Sequence, residues 1–422
     1  MTGDSIAIVG AGLAGARAAQ SLRRQGFDGR INLIGAEEHP PYDRPPLSKD
    51  VLAGTTSATA TYLESDDYWA EQQINLMLGQ PAISLRHAER KVELADGRTL
   101  DADKVLLCTG GRPRVLNVPG SGLRGVWCLR TIEDARSIRE HLTVQARVVV
   151  VGAGFIGAEV AASARALGCE VTMVEIAPVP LWRALGEEVG RVYAQVHRDH
   201  GVRLLTDVGV DDIVGDVAVR QVILSDGSAI DADVVVIGVG LEPMTELAAQ
   251  VGAQVGNGII VNEFCETTVA GIYAAGDVAN HPNAIMGERV RLEHWQNAQN
   301  QAVAAASAML GGRAPFCEVP WFWSDQYDLN LQVAGQPHAS DQVVWRGRRD
   351  PSSFSAFYRR NGMVRAVLGV NRPRDVRAGM DLIARSVAVD AGTLADESTD
   401  LRTLARVGRP PAPAAPGSTG PA

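Results

Sequence analysis

The sequence predicts an α/β protein with two doubly wound, parallel-sheet units and a smaller α+β unit towards the C-terminal end. The stretch IAIVGAGLAG at residues 6–15 has a near copy, VVVVGAGFIG, at residues 148–157. Each begins as an apolar run without alternation, which is typical of a parallel strand covered on both faces, and continues into a glycine-rich turn. After about residue 316 the apolar runs become short and alternating, which indicates a separate mixed domain.

The composition is that of a globular protein with two or three domains. A chain of 422 residues with 46% hydrophobic residues is too long for a single core. Its net charge of −9 argues against nucleic-acid binding. The first residues lack the features of a signal peptide and no run is long and apolar enough for a membrane span, so we expect a cytoplasmic protein. The five cysteines are widely spaced, which predicts no metal site and no redox-active disulfide.

Each of the two parallel-sheet units is predicted to follow the order strand, turn, helix, strand, hairpin. The first has a strand at SIAIVG, a helix that ends at Gly26 and a strand at INLIGAEE; the second has RVVVVG, a helix that ends at Gly168 and EVTMVE. An Asp-Gly pair then joins two strand-like runs in each unit, at residues 90–111 and 220–240, and such a pair is typical of a hairpin turn. The repeat predicts two Rossmann-like domains of one design.

The glycine-rich turns match the GxGxxG pattern of dinucleotide-binding domains. The first glycine allows the tight turn, the second lets the backbone approach a pyrophosphate, and the third lets the helix pack closely on the strand. The N-terminus of that helix attracts the phosphates. The pattern positions are Gly10, Gly12 and Gly15 in the first unit and Gly152, Gly154 and Gly157 in the second. We therefore expect two dinucleotides to bind at once.

An acidic residue at the end of the second strand is expected to bind a ribose diol in each unit. In the second unit this residue is Glu175, 23 positions after Gly152. A carboxylate there repels the 2′-phosphate of NADP, so the sequence favours NADH over NADPH. Arg183 is the one nearby cation that would weaken this preference. In the first unit the candidates are Glu37 and Glu38, of which Glu37 is preferred.

Five further segments occur in a characteristic order, and they are more specific than the glycine motifs. They are PPYDRPPLSKDVL at 40–52, LCTGGRPR at 107–114, LRTIEDA at 129–135, GIYAAGDVA at 271–279 and WFWSDQYDLNLQVAG at 321–335. Over residues 4–405 the chain resembles the FAD-dependent NADH:ferredoxin reductases of bacterial oxygenase systems, the putidaredoxin reductase and biphenyl-dioxygenase reductase type. These are glutathione-reductase-like flavoproteins.

The resemblance implies a domain plan and two cofactors, FAD and NADH. The FAD domain would be discontinuous, at 1–111 and 241–316, with the NAD domain at 112–240 between its parts and a C-terminal α+β domain at 317–406. Residues 407–422 are rich in Pro, Ala and Gly, a composition that predicts disorder. The chain departs from the family at Ala36, where an acid is frequent, so Glu37 would have to take its place.

The predicted binding residues fall into two sets. For FAD they are Gly10, Gly12, Leu13, Ala14, Gly15, Glu37, Arg44, Lys49, Ala82, Thr109, Gly110, Arg130, Asp277, Glu293 and Trp295. For NAD they are Gly152, Gly154, Phe155, Ile156, Gly157, Glu159, Glu175, Arg183 and Gly240. Trp295, with Trp321 and Trp323, is also expected to wall the flavin on the side away from NADH.

Lys49 and Glu159 are the predicted catalytic residues. The chain contains three lysines against 37 arginines, and a compact ammonium near a flavin stabilises the charge that arrives with a hydride. In the resembling enzymes a lysine–glutamate pair lies beside the hydride-transfer site and helps to position the nicotinamide. The alternatives are a surface lysine and an acid that offsets the dipole of its own helix.

No cysteine pair follows the first glycine motif, so the electron acceptor is expected to be an external carrier. The resemblance implies a small iron–sulfur ferredoxin, of the [2Fe–2S] type, which feeds a cytochrome P450 or a Rieske-type oxygenase. A monomer is slightly preferred. Because ferredoxins are usually acidic, a basic patch that docks the ferredoxin is also predicted. Its candidates are Arg44, Arg346, Arg348, Arg349, Arg359, Arg360, Arg372, Arg374 and Arg377. The rival functions are an NADH:quinone-type or other diaphorase and a redox-sensing flavoprotein without turnover.

Overall fold

The computed structural model describes residues 4–350 and 352–407. Apolar runs and glycine-rich turns divide this part of the chain into short strands and helices. The strands are β1 Ser5–Val9, β2 Arg30–Ile34, β3 Ile74–Met77, β4 Ala82–Arg86, β5 Lys91–Leu94, β6 Thr99–Asp101, β7 Lys104–Leu107, β8 Gly111–Pro113, β9 Val126–Cys128, β10 Arg147–Val151, β11 Glu170–Val174, β12 Arg203–Leu205, β13 Val210–Gly215, β14 Val219–Leu224, β15 Ala229–Asp231, β16 Val234–Ile237, β17 Leu241–Pro243, β18 Val255–Gly256, β19 Gly258–Ile260, β20 Ile272–Ala274, β21 Ala279–Asn283, β22 Glu288–Arg291, β23 Trp321–Gln326, β24 Leu329–Gly335, β25 Gln342–Asp350, β26 Ser353–Arg360 and β27 Met363–Val370.

Helices connect these strands and cover the sheets. They are α1 Leu13–Arg24, α2 Asp50–Ala53, α3 Tyr68–Glu71, α4 Ile132–His141, α5 Phe155–Ala166, α6 Trp182–Asp199, α7 Glu246–Gln250, α8 Trp295–Met309, α9 Pro373–Ala384, α10 Ala391–Ala395 and α11 Leu401–Val407. The helices predicted after the two glycine-rich turns are α1 and α5. Short 3₁₀ helices add to them at Pro45–Ser48, Ala58–Thr61 and His87–Glu89.

Two parallel five-stranded sheets form the first two units. Their strand orders are β20-β7-β1-β2-β3 and β12-β11-β10-β16-β9. The central strands β1 and β10 are almost wholly buried, as strands covered on both faces must be. The strand β20 joins the first sheet beside β7 although it lies in the chain after the whole second sheet. The predicted parallel strands are confirmed.

Asp-Gly turns close the predicted hairpins. Gly97 and Gly227 both adopt positive φ, at 85° and 83°, a conformation that glycine reaches without a steric penalty. These turns lie between β5 and β6 and between β14 and β15, which pair antiparallel. Both hairpins confirm the expectation from sequence.

The C-terminal unit is an antiparallel sheet with helices on one face, so the predicted α/β class with an α+β third unit is confirmed. Its strand order is β23-β24-β27-β26-β25. Val376 and Leu382 of α9 pack on one face of this sheet, and Leu185 and Val189 of α6 lie in one apolar cluster with Leu331 and Phe354 of the sheet. The boundaries of the three domains stay predictions. Val407 ends α11, and the remaining residues of the predicted tail, 408–422, lie outside the described residues.

Candidate active site

A cavity of about 1750 Å³ lies where the carboxyl ends of β1 and β10 face each other. Parallel α/β sheets bind ligands at this edge, where strand order reverses. A pocket for one small ligand occupies about 300–1000 Å³. The cavity is therefore large enough for two dinucleotides side by side.

Nearly all predicted binding residues line this cavity. The predicted FAD residues on its wall are Gly10, Gly12, Leu13, Ala14, Glu37, Arg44, Lys49, Ala82, Thr109, Gly110, Arg130, Asp277, Glu293 and Trp295. The predicted NAD residues on its wall are Gly152, Gly154, Phe155, Ile156, Glu159, Glu175, Arg183 and Gly240. The structure thus brings together residues up to 285 positions apart (Gly10 to Trp295). Gly15 and Gly157 lie behind the wall.

The glycines of the two turns differ in what surrounds them. A Cβ built on Gly15 would lie 1.9 Å from the carbonyl oxygen of Gly10, and one on Gly157 would lie 2.0 Å from that of Gly152. These two glycines let α1 and α5 pack against their own turns. A Cβ on Gly12 or Gly154 would meet no protein atom within 4 Å. The open space at both positions fits a pyrophosphate group beside each helix N-terminus.

Glu37 lies on the side of the cavity formed by the first unit and is held by two neighbours. Arg44 donates to Oε1 at 2.6 Å and the Tyr42 hydroxyl donates to Oε2 at 2.5 Å. Burial raises the pKa of Tyr42 above its usual value, so this hydroxyl keeps its proton and remains a donor. Glu38 is exposed. Of the two candidate acids, Glu37 is the one on the cavity wall.

Asp277 and Trp295 are fixed on the cavity wall by residues distant in sequence. Asp277 follows β20 and pairs with Arg130 at 3.2 Å. The Trp295 indole donates to Asp43 at 2.6 Å. Trp295 begins α8, and its ring lies 6.1 Å from that of Trp323, which also lines the cavity. These contacts hold polar and aromatic groups in place on the wall predicted to bind FAD.

On the side of the cavity formed by the second unit, Glu175 accepts hydrogen bonds from two backbone turns. Its Oε2 accepts from the amide of Ala153 at 2.7 Å and its Oε1 from the amide of Ala177 at 2.9 Å. The carboxylate is thereby held at the carboxyl end of β11, beside the glycine-rich turn. Arg183 lies on the same wall and is exposed.

Lys49 and Glu159 meet between the two halves of the cavity. The Lys49 Nζ lies 3.3 Å from Glu159 Oε1 and 3.7 Å from Asp325 Oδ2. Glu159 also accepts from Ser48 Oγ at 2.5 Å and from Ser324 Oγ at 2.7 Å. Burial raises the pKa of Glu159, and Lys49 and the two hydroxyls oppose that rise. As a whole residue Glu159 is 4% exposed, and its partners come from the first and the third units.

The helix α5 explains why Glu159 points at this loop. Ser163, one turn further along α5, donates to the Ser48 carbonyl at 2.8 Å. Residues four apart share one helix face, so Glu159 and Ser163 both form hydrogen bonds with Ser48, at the end of the 3₁₀ turn. These two hydrogen bonds fix the position of Lys49, the next residue.

Sequence reasoning missed His294, Ser48 and Ser324. His294 lines the cavity, and its Nδ1 is buried with no hydrogen-bond partner in the described part of the chain. Burial lowers its pKa to about 4, so the ring is neutral near pH 7. An unpartnered buried nitrogen fits a group that fills the cavity. No local signal marks these residues, because their partners are more than a hundred positions away or absent from the chain.

The predicted basic patch needs one correction. Arg346 is 5% exposed and donates to the carbonyls of Leu394, Asp396 and Thr399. It therefore anchors the C-terminal segment and is not available to a partner. Of the other candidates with described side chains, Arg44, Arg360 and Arg372 are paired with acids. Arg359 is partly buried and donates to Gln342 at 2.7 Å, and Arg348, Arg374 and Arg377 are exposed.

Among residues 4–350 and 352–407, no helix combines the length and the apolar character needed to cross a membrane. The same residues contain no group of three or more His, Cys, Asp or Glu side chains placed to hold a metal ion.

Comparison with known proteins gives the family. The model of the pyridine nucleotide-disulphide oxidoreductases matches residues 4–302, and a model described as reductase C-terminal matches residues 321–405. Rhodocoxin reductase of Rhodococcus erythropolis is 40% identical over 94% of this chain and 93% of its own. The anthranilate 1,2-dioxygenase system ferredoxin–NAD(+) reductase component of Burkholderia cepacia is 39% identical, over 96% and 100%.

A solved structure agrees with these relatives. The covalent putidaredoxin reductase–putidaredoxin complex superposes with a TM-score of 0.93 at 38% identity, and the match covers 97% of this chain and 99% of that chain. The chain belongs to the pyridine nucleotide-disulphide oxidoreductases, and within them to the ferredoxin reductases of oxygenase systems.

Proposed function

We propose that the protein is an FAD-dependent NADH:ferredoxin oxidoreductase whose partner is a small [2Fe–2S] ferredoxin serving a cytochrome P450 or a Rieske-type oxygenase. The observation that carries this proposal is the single cavity into which two dinucleotide turns open, with Lys49 and Glu159 between them. FAD, when bound, supplies a carrier that accepts two electrons from reduced nicotinamide and releases them singly.

Different residues bind different parts of the two dinucleotides. Gly12 and Gly154 leave room for the two pyrophosphates, and the N-termini of α1 and α5 attract their charge. Glu175 binds the ribose of NADH, while Glu37 and Asp277 bind the polar parts of FAD. Trp295 and Trp323, both on the cavity wall, would pack beside the flavin ring.

Lys49 places a fixed positive charge where negative charge develops as the hydride arrives. Glu159 keeps the ammonium in place, since both groups are largely buried and 3.3 Å apart. A charge that is already oriented stabilises the transition state without reorganisation. We propose that this pair also positions the nicotinamide.

An external acceptor is supported by the cysteines. All five are free thiols, so none forms a disulfide that takes electrons from the site. Free thiols are usual in the reducing cytoplasm, which supports a cytoplasmic location. We propose a monomer.

The function is tested by NADH-driven cytochrome c reduction with and without candidate [2Fe–2S] ferredoxins. We expect turnover only with a cognate ferredoxin, at a rate that falls steeply with salt, because exposed charges are screened. Ferricyanide reduction is expected to be independent of salt. Arg374→Glu with Arg377→Glu should slow ferredoxin reduction at low salt about tenfold, whereas Arg203→Glu, an exposed change in the second unit, should not.

The rival functions give different results in the same assay. A quinone-type diaphorase would turn over with quinones and show no dependence on a ferredoxin. A redox-sensing flavoprotein would keep its yellow colour when mixed anaerobically with NADH. Either result would reject the proposal.

Glu175→Gln is expected to lower the preference for NADH over NADPH by about tenfold or more, because a carboxylate facing a 2′-phosphate is a like-charge contact. The measurement is the ratio of kcat/KM for the two nucleotides. Glu170→Gln, an exposed change at the other end of the same strand, is the control. An unchanged ratio in Glu175→Gln would assign the preference to another residue.

A further inference from the structure

A line of buried polar groups leads away from Glu159, and each step along it is one hydrogen bond. Ser324 Oγ lies 2.7 Å from Glu159 Oε1, and Gln326 Nε2 lies 3.2 Å from Ser324 Oγ. Gln326 Oε1 lies 3.1 Å from His197 Nε2, and His197 Nδ1 lies 2.9 Å from the Tyr327 hydroxyl.

Each hydrogen bond in this line has a fixed direction. An ionised carboxylate only accepts, so the Ser324 hydroxyl donates to Glu159 and accepts from the Gln326 amide. The amide oxygen of Gln326 then accepts from His197 Nε2, and His197 Nδ1 accepts from the Tyr327 hydroxyl. Every donor in the line therefore points towards Glu159.

These groups are buried at the contact between the second and third units. His197 and Ser324 are 0% exposed and Gln326 is 1% exposed. Around them the contact is apolar, with Val189 and Val196 of α6 in one cluster with the C-terminal sheet. Burying a polar group is unfavourable in free energy unless the group is hydrogen-bonded. Apolar side chains would fill this contact with a smaller free-energy penalty. The line is thus a specific arrangement within an apolar interface.

We propose that His197 and Gln326 are positioning residues, which act through the Ser324 hydroxyl to hold Glu159 as an ionised carboxylate beside Lys49. The proposal deepens the proposed function and rests on the role given there to Lys49 and Glu159. The line orients donors and does not conduct protons, since the Gln326 amide is neither an acid nor a base near pH 7.

The surrounding charges are consistent with this role. Glu159 faces Lys49 and Ser48 on its other side, and Lys49 also faces Asp325 at 3.7 Å. Tyr193 lies one turn before His197 on α6, and His200, directly after the end of α6, stacks on Tyr327. Burial raises the pKa of Tyr327, and the positive charge of Arg165 opposes that rise. Burial lowers the pKa of His197 to about 4, so its ring stays neutral near pH 7 and keeps one donor and one acceptor.

The test uses the full chain with bound FAD and two readouts. The first is infrared pH titration of the protonated carboxylic acid band that disappears in Glu159→Gln. In Gln326→Leu, His197→Phe and Ser324→Ala, we expect this band to persist to higher pH than in the unmodified protein. His281→Phe replaces a histidine that is equally buried but outside the line, and it should leave the titration unchanged.

The second readout is the rate of flavin reduction by NADH at neutral pH. Ser324→Ala should slow it about tenfold, because one hydrogen bond to a charged group is lost. Adding Gln326→Leu to Ser324→Ala should cause little further loss, since Gln326 acts through Ser324. Thermal unfolding of each variant identifies any that fail to fold, and the Ser324→Ala comparison stands without the larger changes.

An infrared titration that is unchanged in folded Gln326→Leu and Ser324→Ala would overturn the inference. The inference would also be overturned if the double variant reduced flavin more slowly than Ser324→Ala by the full factor that Gln326→Leu causes alone. If the band shifts as expected but NADH does not reduce the flavin of the unmodified protein, the proposed function fails and the positioning role stands.

Discussion

Lys49→Met is expected to slow flavin reduction by NADH about 100-fold or more and to lower the free energy of unfolding by about 3–5 kcal/mol. The Lys49 side chain is 14% exposed and the Glu159 side chain is 5% exposed, so removing the cation leaves a buried carboxylate without its counter-charge. Stopped-flow reduction and denaturant unfolding measure the two effects.

The loss of stability in Lys49→Met should depend on pH. Burial raises the pKa of Glu159 in the folded chain, so the folded state binds this proton more tightly than the unfolded state does. Stability then falls as pH rises from the ordinary glutamate range through the raised pKa. The variant should regain stability in acid, where Glu159 is neutral.

A matched double variant separates charge from packing. Lys49→Met with Glu159→Gln removes both charges, and it should recover most of the lost unfolding free energy without recovering the rate of flavin reduction. A double variant as unstable as Lys49→Met alone would show that the lysine stem, and not its charge, supports the fold.

Gly12→Val and Gly154→Val are expected to remove one dinucleotide each while leaving the fold intact. Both glycines have extended backbone conformations that any residue adopts, and a Cβ at either position meets no protein atom within 4 Å. The valine side chain would instead fill the space for a pyrophosphate. We expect Gly12→Val to be purified without yellow colour, and Gly154→Val to stay yellow with a KM for NADH raised about tenfold or more.

The third glycine of each turn provides the contrast. Gly15→Ala and Gly157→Ala would place a Cβ about 2 Å from a backbone oxygen, so these variants should lose folded protein. If Gly154→Val bound NADH normally, the second turn would not be the nucleotide site.

The local features of this chain were predictable because their causes are local. The glycine-rich turns need only a few consecutive residues to specify strand, turn and helix, and the Asp-Gly hairpins need only the turn residues. The scarcity of lysine and the family resemblance both point to Lys49. Glu159 is predicted from its place two residues after Gly157 and from the same resemblance.

The contacts between units were not predictable in this way. Ser324 reaches Glu159 across 165 residues, and His294 faces the cavity only because α8 begins there. The burial of Arg346 did leave a signal, since it shares a strand face with buried Val344 at a spacing of two. The other arginines of that strand obscure the alternation of buried and exposed positions in its sequence.

Because β20 lies far along the chain, the two parallel sheets can be completed at different times during synthesis. The second sheet is complete once Ile237 has been synthesised, because all its strands lie between residues 126 and 237. The first sheet waits for Ile272 to pair with Val105, and for α8 to cover it. On the ribosome the second unit can therefore fold before the first unit, although the first unit is synthesised earlier. The N-terminal strands stay without their last partner strand until β20 has been made.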